Sequence, residues 1–249
     1  RSGGSLMGRF LLTGASSACA CAFMRRHVWQ EDDEIIAQYC RDKTVLEALK
    51  QDIPAKMEIM QADFSDAAST EAFAETLKKK DFVPTHILHV PAVPIAAERF
   101  TEMTWRETER QLHVQCRSLV IILQAVIKKM VKAKQGNIVI GLSSVTLHVP
   151  PKYLSGYVAA KYALMGLAKG LASEYASKHI RVNMVSPSMM ETKFLRHMHR
   201  EIVEQSARQN PLRRNAAPED IAGLIDYLFS EANTFITGAN IPVSGGEIF

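Results

Sequence analysis

Arg9-Phe-Leu-Leu-Thr-Gly-Ala-Ser-Ser-Ala-Cys-Ala20 decides the fold. Arg9 to Thr13 (RFLLT) is a short apolar run that reads as a strand. Small residues from Gly14 onward make a tight turn, and a helix then runs through Met24 to Val28. The same unit recurs along the chain. Strands are expected at Glu34–Tyr39 (EIIAQY), Met57–Gln61, His86–Val90, Asn137–Leu142 (NIVIGL), Arg181–Val185 and Asn240–Val243. Helices are expected at Lys43–Gln51, Thr70–Lys79, Trp105–Val131, Tyr157–Ser177 and Glu219–Leu228, with a shorter one at His197–Gln209. Leu164, Leu167 and Leu171 recur at the spacing of one buried helix face. Strand–helix alternation over the whole length implies an α/β fold. It is a single doubly wound parallel sheet of about seven strands, with helices on both faces.

Length and charge bound the rest. The chain has 249 residues and a net charge of +4, which suits one α/β domain with an ample core. Hydrophobic residues make up 47% of it, and that fraction excludes disorder. Its 4 cysteines follow no secreted framework, so a reducing, cytoplasmic setting is expected. No apolar run reaches the roughly 18 residues of a membrane span. The mild basic excess, without stacking aromatics or a recognition-helix pattern, points to no nucleic-acid partner. Arg1 to Leu6 (RSGGSL) reads as a leftover linker, Met7 as the native start, and 7–249 as one domain.

The turn after the first strand is where a doubly wound fold binds a dinucleotide pyrophosphate, on backbone N–H groups and a helix N-terminus. Gly14, Ser16, Ser17, Ala18 and Cys19 are small enough for close approach. The other reading is an ordinary βα turn that binds nothing. Cys19 and Cys21 have no partners at ligand spacing, so no metal site is expected.

Tyr157-Val-Ala-Ala-Lys161 opens a helix, and residues four apart share a face, so phenol and ammonium converge. A nearby cation favours phenolate, which makes Tyr157 a usable general acid. Ser144 follows the fifth strand at the sheet edge where such folds bind ligands.

These landmarks carry a resemblance to the short-chain dehydrogenase/reductase family, of the compact single-domain, Rossmann-like type, similar to 3-oxoacyl-ACP reductases. It rests on Thr13-Gly14, Asp63, Ser144, Tyr157 with Lys161, Arg181 through Pro187, Glu191-Thr192, and Phe235-Ile-Thr-Gly238 through Gly245-Gly246. The resemblance implies that Ser144 positions a carbonyl or hydroxyl and that Tyr157 gives or takes its proton. Lys161 lowers the tyrosine pKa and holds the nicotinamide ribose. Gln115 stands where the family has a relay asparagine. The cofactor contacts it implies are Gly14, Ser16, Ser17, Ala18, Cys19, Arg41, Asp63, Phe64, Ala92, Lys161, Pro187 and Thr192. The substrate contacts are Val145, Met189, Met190 and Phe194. A homotetramer or homodimer built on the two long helices is also implied.

The chain departs from the family pattern in places. Ala18 and Ala20 replace glycines, and Val90-Pro91-Ala92-Val93 replaces Asn-Asn-Ala-Gly, where Pro91 removes a backbone donor. Arg41 and Lys43 after the second strand suit a 2′-phosphate, so NADP(H) is favoured over NAD(H).

A lid is expected over about 188–214. Between Glu191 and Arg214 it carries Lys193, Arg196, Arg200, Arg208, Arg213 and Arg214 against Glu191, Glu201 and Glu204. With Met189, Met190, Phe194, Leu195 and Met198 it suits a small or carrier-linked substrate with an apolar part and an anionic handle. A solvated lid face is the plainer reading. Reduction of a ketone, such as a β-ketoacyl thioester, is thus the expected reaction. An alcohol dehydrogenase acting on a sugar, polyol or steroid, and a non-catalytic protein of this fold, stay open.

Overall fold

The computed structural model describes residues 7–95, 97–195 and 198–248, except the side chain of Phe194. The 1–6 tail, Arg196, His197 and the Phe194 side chain therefore lie outside the described residues.

Seven strands form one sheet: β1 (Arg9–Thr13), β2 (Glu34–Tyr39), β3 (Lys56–Gln61), β4 (His86–His89), β5 (Gly136–Gly141), β6 (Ile180–Pro187) and β7 (Asn240–Val243). Their spatial order is β3-β2-β1-β4-β5-β6-β7, and every pairing is parallel. Successive side chains on a strand point to opposite faces, which divides the core in two. Leu11, Ile87, Ile138 and Val182 join one apolar layer, while Phe10, Leu12, Leu88 and Val139 join the other. Both faces are covered, as the near-continuous apolar strands require.

The helices are α1 (Ala18–Arg26), α2 (Thr44–Asp52), α3 (Ala67–Lys79), α4 (Trp105–Leu112), α5 (Ser118–Ala133), α6 (Ser155–Tyr175), α7 (Arg200–Gln209) and α8 (Pro218–Phe229). Local chemistry sets their ends. Ser17 caps α1 by accepting from the Ala20 N–H, and Asp66 caps α3 by accepting from Ser69. Pro218 opens α8, where its missing N–H costs nothing, and Asp220 accepts from the Ala217 N–H. The long helix expected from Trp105 to Val131 is split by a π turn at His113–Arg117. Such a turn re-aims side chains within a helix and is frequent near sites. The lid helix begins at Arg200 rather than at His197.

The chain crosses the sheet between β1 and β4, the point where the order of winding reverses. The C-terminal ends of β1, β4, β5 and β6 open there on a single cleft. Among the described residues no helix is long and apolar enough to cross a membrane.

Candidate active site

The cleft has a volume of about 1740 Å³. That exceeds the roughly 300–1,000 Å³ of ordinary ligand pockets and leaves room for a dinucleotide beside a substrate. Its floor begins at the first turn. Gly14 has φ +70°, and a Cβ there would lie 2.7 Å from the Pro91 nitrogen and 2.9 Å from the Val90 carbonyl carbon. Glycine is thus required by the approach of the backbone that follows β4. Gln38 holds this turn from β2: its Oε1 accepts from the Gly14 N–H at 2.8 Å and its Nε2 donates to the Ala62 carbonyl at 2.7 Å. The first-turn N–H groups of α1 have no intrahelical acceptor and form the positive end of its dipole, with the Ala20 N–H capped by Ser17. Ser16, Ser17, Ala18 and Cys19 line the cleft beside them.

At the other end of the floor stand Arg41, Asp63 and Phe64. Asp63 accepts from the Ser65 N–H and hydroxyl at 2.9 and 2.7 Å, and these bonds hold its carboxyl below the usual range. Phe64 packs its ring edge-on against Phe73 in the core, so its ring is structural. Ala92, Pro187 and Thr192 also line the cleft, with Pro187 at the end of β6 on the opposite side of β1. The cradle of small residues, the helix N-terminus and the paired floor positions all fit a nicotinamide dinucleotide.

Tyr157 and Lys161 project from the first turns of α6 into the middle of the cleft. The Lys161 Nζ donates to the Gly141 carbonyl at 2.9 Å and lies 5.7 Å from the centre of the Tyr157 ring. Sequence spacing implied that Lys161 lowers the phenol pKa. The protein shows the reverse balance. Burial pushes Tyr157 up to about 12, opposed by a hydrogen bond with the Ser143 side chain, and pushes Lys161 down to about 8. The ammonium is committed to a carbonyl at the end of β5 rather than to the phenolic oxygen, so desolvation prevails.

Ser144 lines the cleft and opens a short 3₁₀ turn, Ser144–Thr146. Ser143, one residue earlier, bonds the Tyr157 hydroxyl. The sequence singles out only Ser144, by its place after the fifth strand and by the family resemblance.

Gln115 does not line the cleft. It sits in the π turn, donates from Nε2 to Gln111 Oε1 at 2.9 Å, and its own Oε1 is buried without a partner among the described residues. Its carbonyl faces His89 Nε2 at 2.9 Å, and Thr13 Oγ1 faces His89 Nδ1 at 2.8 Å. A carbonyl only accepts, so Nε2 carries the proton and Nδ1 accepts from the Thr13 hydroxyl. Burial holds this histidine down to about 4, which keeps it neutral. His89 and Gln38 were missed in the sequence. Their one signal is a polar side chain inside an otherwise apolar strand.

Val145 lines the cleft in an apolar cluster with Ile95, Leu154 and Met198, and Met189 and Ile202 line it too. Met190, expected among the substrate contacts, lies instead beside the first turn, where the Cys19 thiol donates to its Sδ at 3.9 Å. The cationic rim expected over this end is largely absent. Arg200 and Arg208 both pair with Glu204, at 2.8 and 3.3 Å. Arg214 pairs with Asp220 at 2.5 Å, and Arg213 donates to the Arg208 carbonyl at 2.7 Å. These guanidinium groups are thus engaged within the lid and with the first turn of α8. Among the described lysines and arginines of the lid, only Lys193 lines the cleft. Among the described residues no cluster of three or more His, Cys, Asp or Glu side chains is placed to hold a metal ion.

Comparison with known proteins bears on the family and the fold. A family model described as Enoyl-(Acyl carrier protein) reductase matches residues 14–247. Dehydrogenase/reductase SDR family member 4 of Sus scrofa is 36% identical over 151 residues, which are 59% of this chain and 52% of that protein. The 3-oxoacyl-[acyl-carrier-protein] reductase of Aquifex aeolicus is 33% identical over 147 residues, 59% of each chain. The matches thus span between about half and three-fifths of these relatives' length. The crystal structure of an NADPH-dependent reductase involved in bacilysin biosynthesis superposes with a TM-score of 0.83. It shares 19% identity over 98% of this chain and 99% of that one, a likeness of fold.

Proposed function

The chain belongs to the short-chain dehydrogenase/reductase family, and on that premise we propose that it is an NADP(H)-dependent reductase of ketones, with β-ketoacyl thioesters as the leading substrate class. The observation that carries the reading is a phenol kept neutral by burial beside a buried ammonium in the middle of the cleft. A neutral phenol is the form that gives a proton to a carbonyl oxygen.

The first turn and α1 bind the pyrophosphate, Arg41 meets the 2′-phosphate, and Asp63 with Ala92 borders the adenosine. Lys161 holds the nicotinamide ribose. When bound, the nicotinamide supplies the hydride. Ser144 orients the carbonyl oxygen of the substrate. Ser143 holds the Tyr157 hydroxyl, and Tyr157 donates its proton to that oxygen. Lys161 compensates the charge that develops on the phenol. The apolar wall of Ile95, Val145, Leu154 and Met189 takes the substrate's carbon chain and excludes water. Homodimer or homotetramer assembly through the long helices accompanies this reading. Ala159, Ala163, Gly166 and Gly170 are exposed along α6 and leave its outer face flat.

A second reading, a non-catalytic binding protein, draws on Val90-Pro91, which removes a donor, and on Ala18, which adds a β-carbon on the floor, with Ala20 buried behind it. The test is NADPH oxidation with acetoacetyl-CoA and simple ketones, beside NADPH binding followed by Trp29 and Trp105 fluorescence. Turnover supports the reductase. Binding without turnover on any ketone supports the second reading.

A further inference from the structure

Lys193 stands apart from the other lid cations. It lines the cleft from the lid side, whereas Arg41 lines it from the end of β2. Lys193 lies in the electrostatic field of Asp42, the residue after Arg41, so the lid reaches across the adenosine end of the opening. Asp42 is itself engaged: its Oδ1 accepts from the Thr44 N–H at 2.9 Å and hydroxyl at 2.7 Å, where it starts α2. Among the described residues Lys193 makes no hydrogen bond or ion pair, while Arg200, Arg208 and Arg214 are all paired.

The lid is an excursion with a stapled base. Met190 bridges Ala216, the Ala216 N–H donates to the Met189 carbonyl at 2.9 Å, and Asn215 Nδ2 donates to Glu191 at 2.8 Å. Lys193 begins the first turn beyond that base, Lys193–Leu195. A ligand gripped by Lys193 therefore loads the lid directly.

We propose that Lys193 and Arg41 are the two jaws of one phosphate clamp, so that the 2′-phosphate of NADP(H) ties the lid to the body of the domain. The clamp rests on the NADP(H) reading above. It makes Lys193 a specificity-determining residue and makes lid closure answer to the cofactor's phosphate. NAD(H), with a bare ribose at that point, gives Lys193 nothing to hold.

The test uses the full chain with NADP⁺, NAD⁺, 2′,5′-ADP and 5′-AMP. Affinity is read by calorimetry and lid order by hydrogen exchange over 188–214. In the wild type, NADP⁺ and 2′,5′-ADP slow exchange in the lid beyond what NAD⁺ and 5′-AMP achieve. Lys193→Ala weakens NADP⁺ and 2′,5′-ADP by about tenfold, the low end for a charged hydrogen bond. It leaves NAD⁺ affinity unchanged and removes the extra lid protection, and Lys193→Arg restores both. A wild type that prefers NADP⁺ while Lys193→Ala weakens neither cofactor, or both alike, overturns the clamp and leaves the cofactor reading standing. A wild type that binds NAD⁺ as tightly as NADP⁺ overturns the cofactor reading and the clamp together.

Discussion

Lys161 donates to the Gly141 carbonyl at 2.9 Å, with its side chain buried at the C-terminal end of β5. That bond fixes where the ammonium can act. It reaches the ring side of Tyr157, and its charge is expensive in a dry setting, which draws its pKa down to about 8.

The rate should follow this charge. Tyr157 stays protonated up to about 12, so kcat/KM for ketone reduction is expected to be flat below about 8 and to fall above it as Lys161 deprotonates. Lys161→Arg keeps its charge and should move that alkaline limb upward, at some loss of rate. A limb that stays in place in the arginine variant would assign it to another group.

Tyr157→Phe should lower kcat by at least about a hundredfold, the usual worth of a positioned general acid. NADP⁺ affinity should hold, because the ring and its packing remain. Full activity in this variant would remove Tyr157 from the chemistry.

The two serines should separate. Ser143→Ala removes the hydrogen bond that opposes the rise of the Tyr157 pKa, which leaves a weaker acid. Its kcat should drop with KM little changed. Ser144→Ala removes the hydroxyl we propose orients the substrate oxygen and should damage kcat/KM by roughly tenfold or more. Steady-state kinetics on both variants decides the division.

Gly14→Ala should destabilise the fold by about 2 kcal/mol, from the left-handed conformation alone, with more from contact with the backbone that follows β4. Thermal melting of the ligand-free protein measures it. An unchanged Tm would mean that the turn relaxes without cost.

Acid should unfold the protein early. Burial holds both His86 and His89 near 4 against an ordinary value of 6.5. Between those pH values the unfolded chain binds protons that the folded chain refuses, so stability falls as pH drops from 6.5 toward 4. Tm measured across that window should decline, and less steeply in His86→Asn. An equal slope in that variant would place the loss elsewhere.

The sequence by itself determined the seven strands, the covering helices and their order, because apolar periodicity and capping are local signals. β1, β2 and β7 came out residue for residue, and the positions for Tyr157, Lys161 and the small-residue turn were legible in spacing. What only the tertiary structure decided depends on which neighbours a side chain meets. Ser143 hydrogen-bonds the tyrosine, a contact that residue spacing alone does not single out. The lid arginines turn to Glu204 and Asp220, since nearby acids outcompete an open cleft. Gln115 turns to Gln111 inside a π turn that no periodicity announces. Burial reverses the expected phenol shift, because desolvation depends on everything packed around the site and not on the four-residue step between Tyr157 and Lys161.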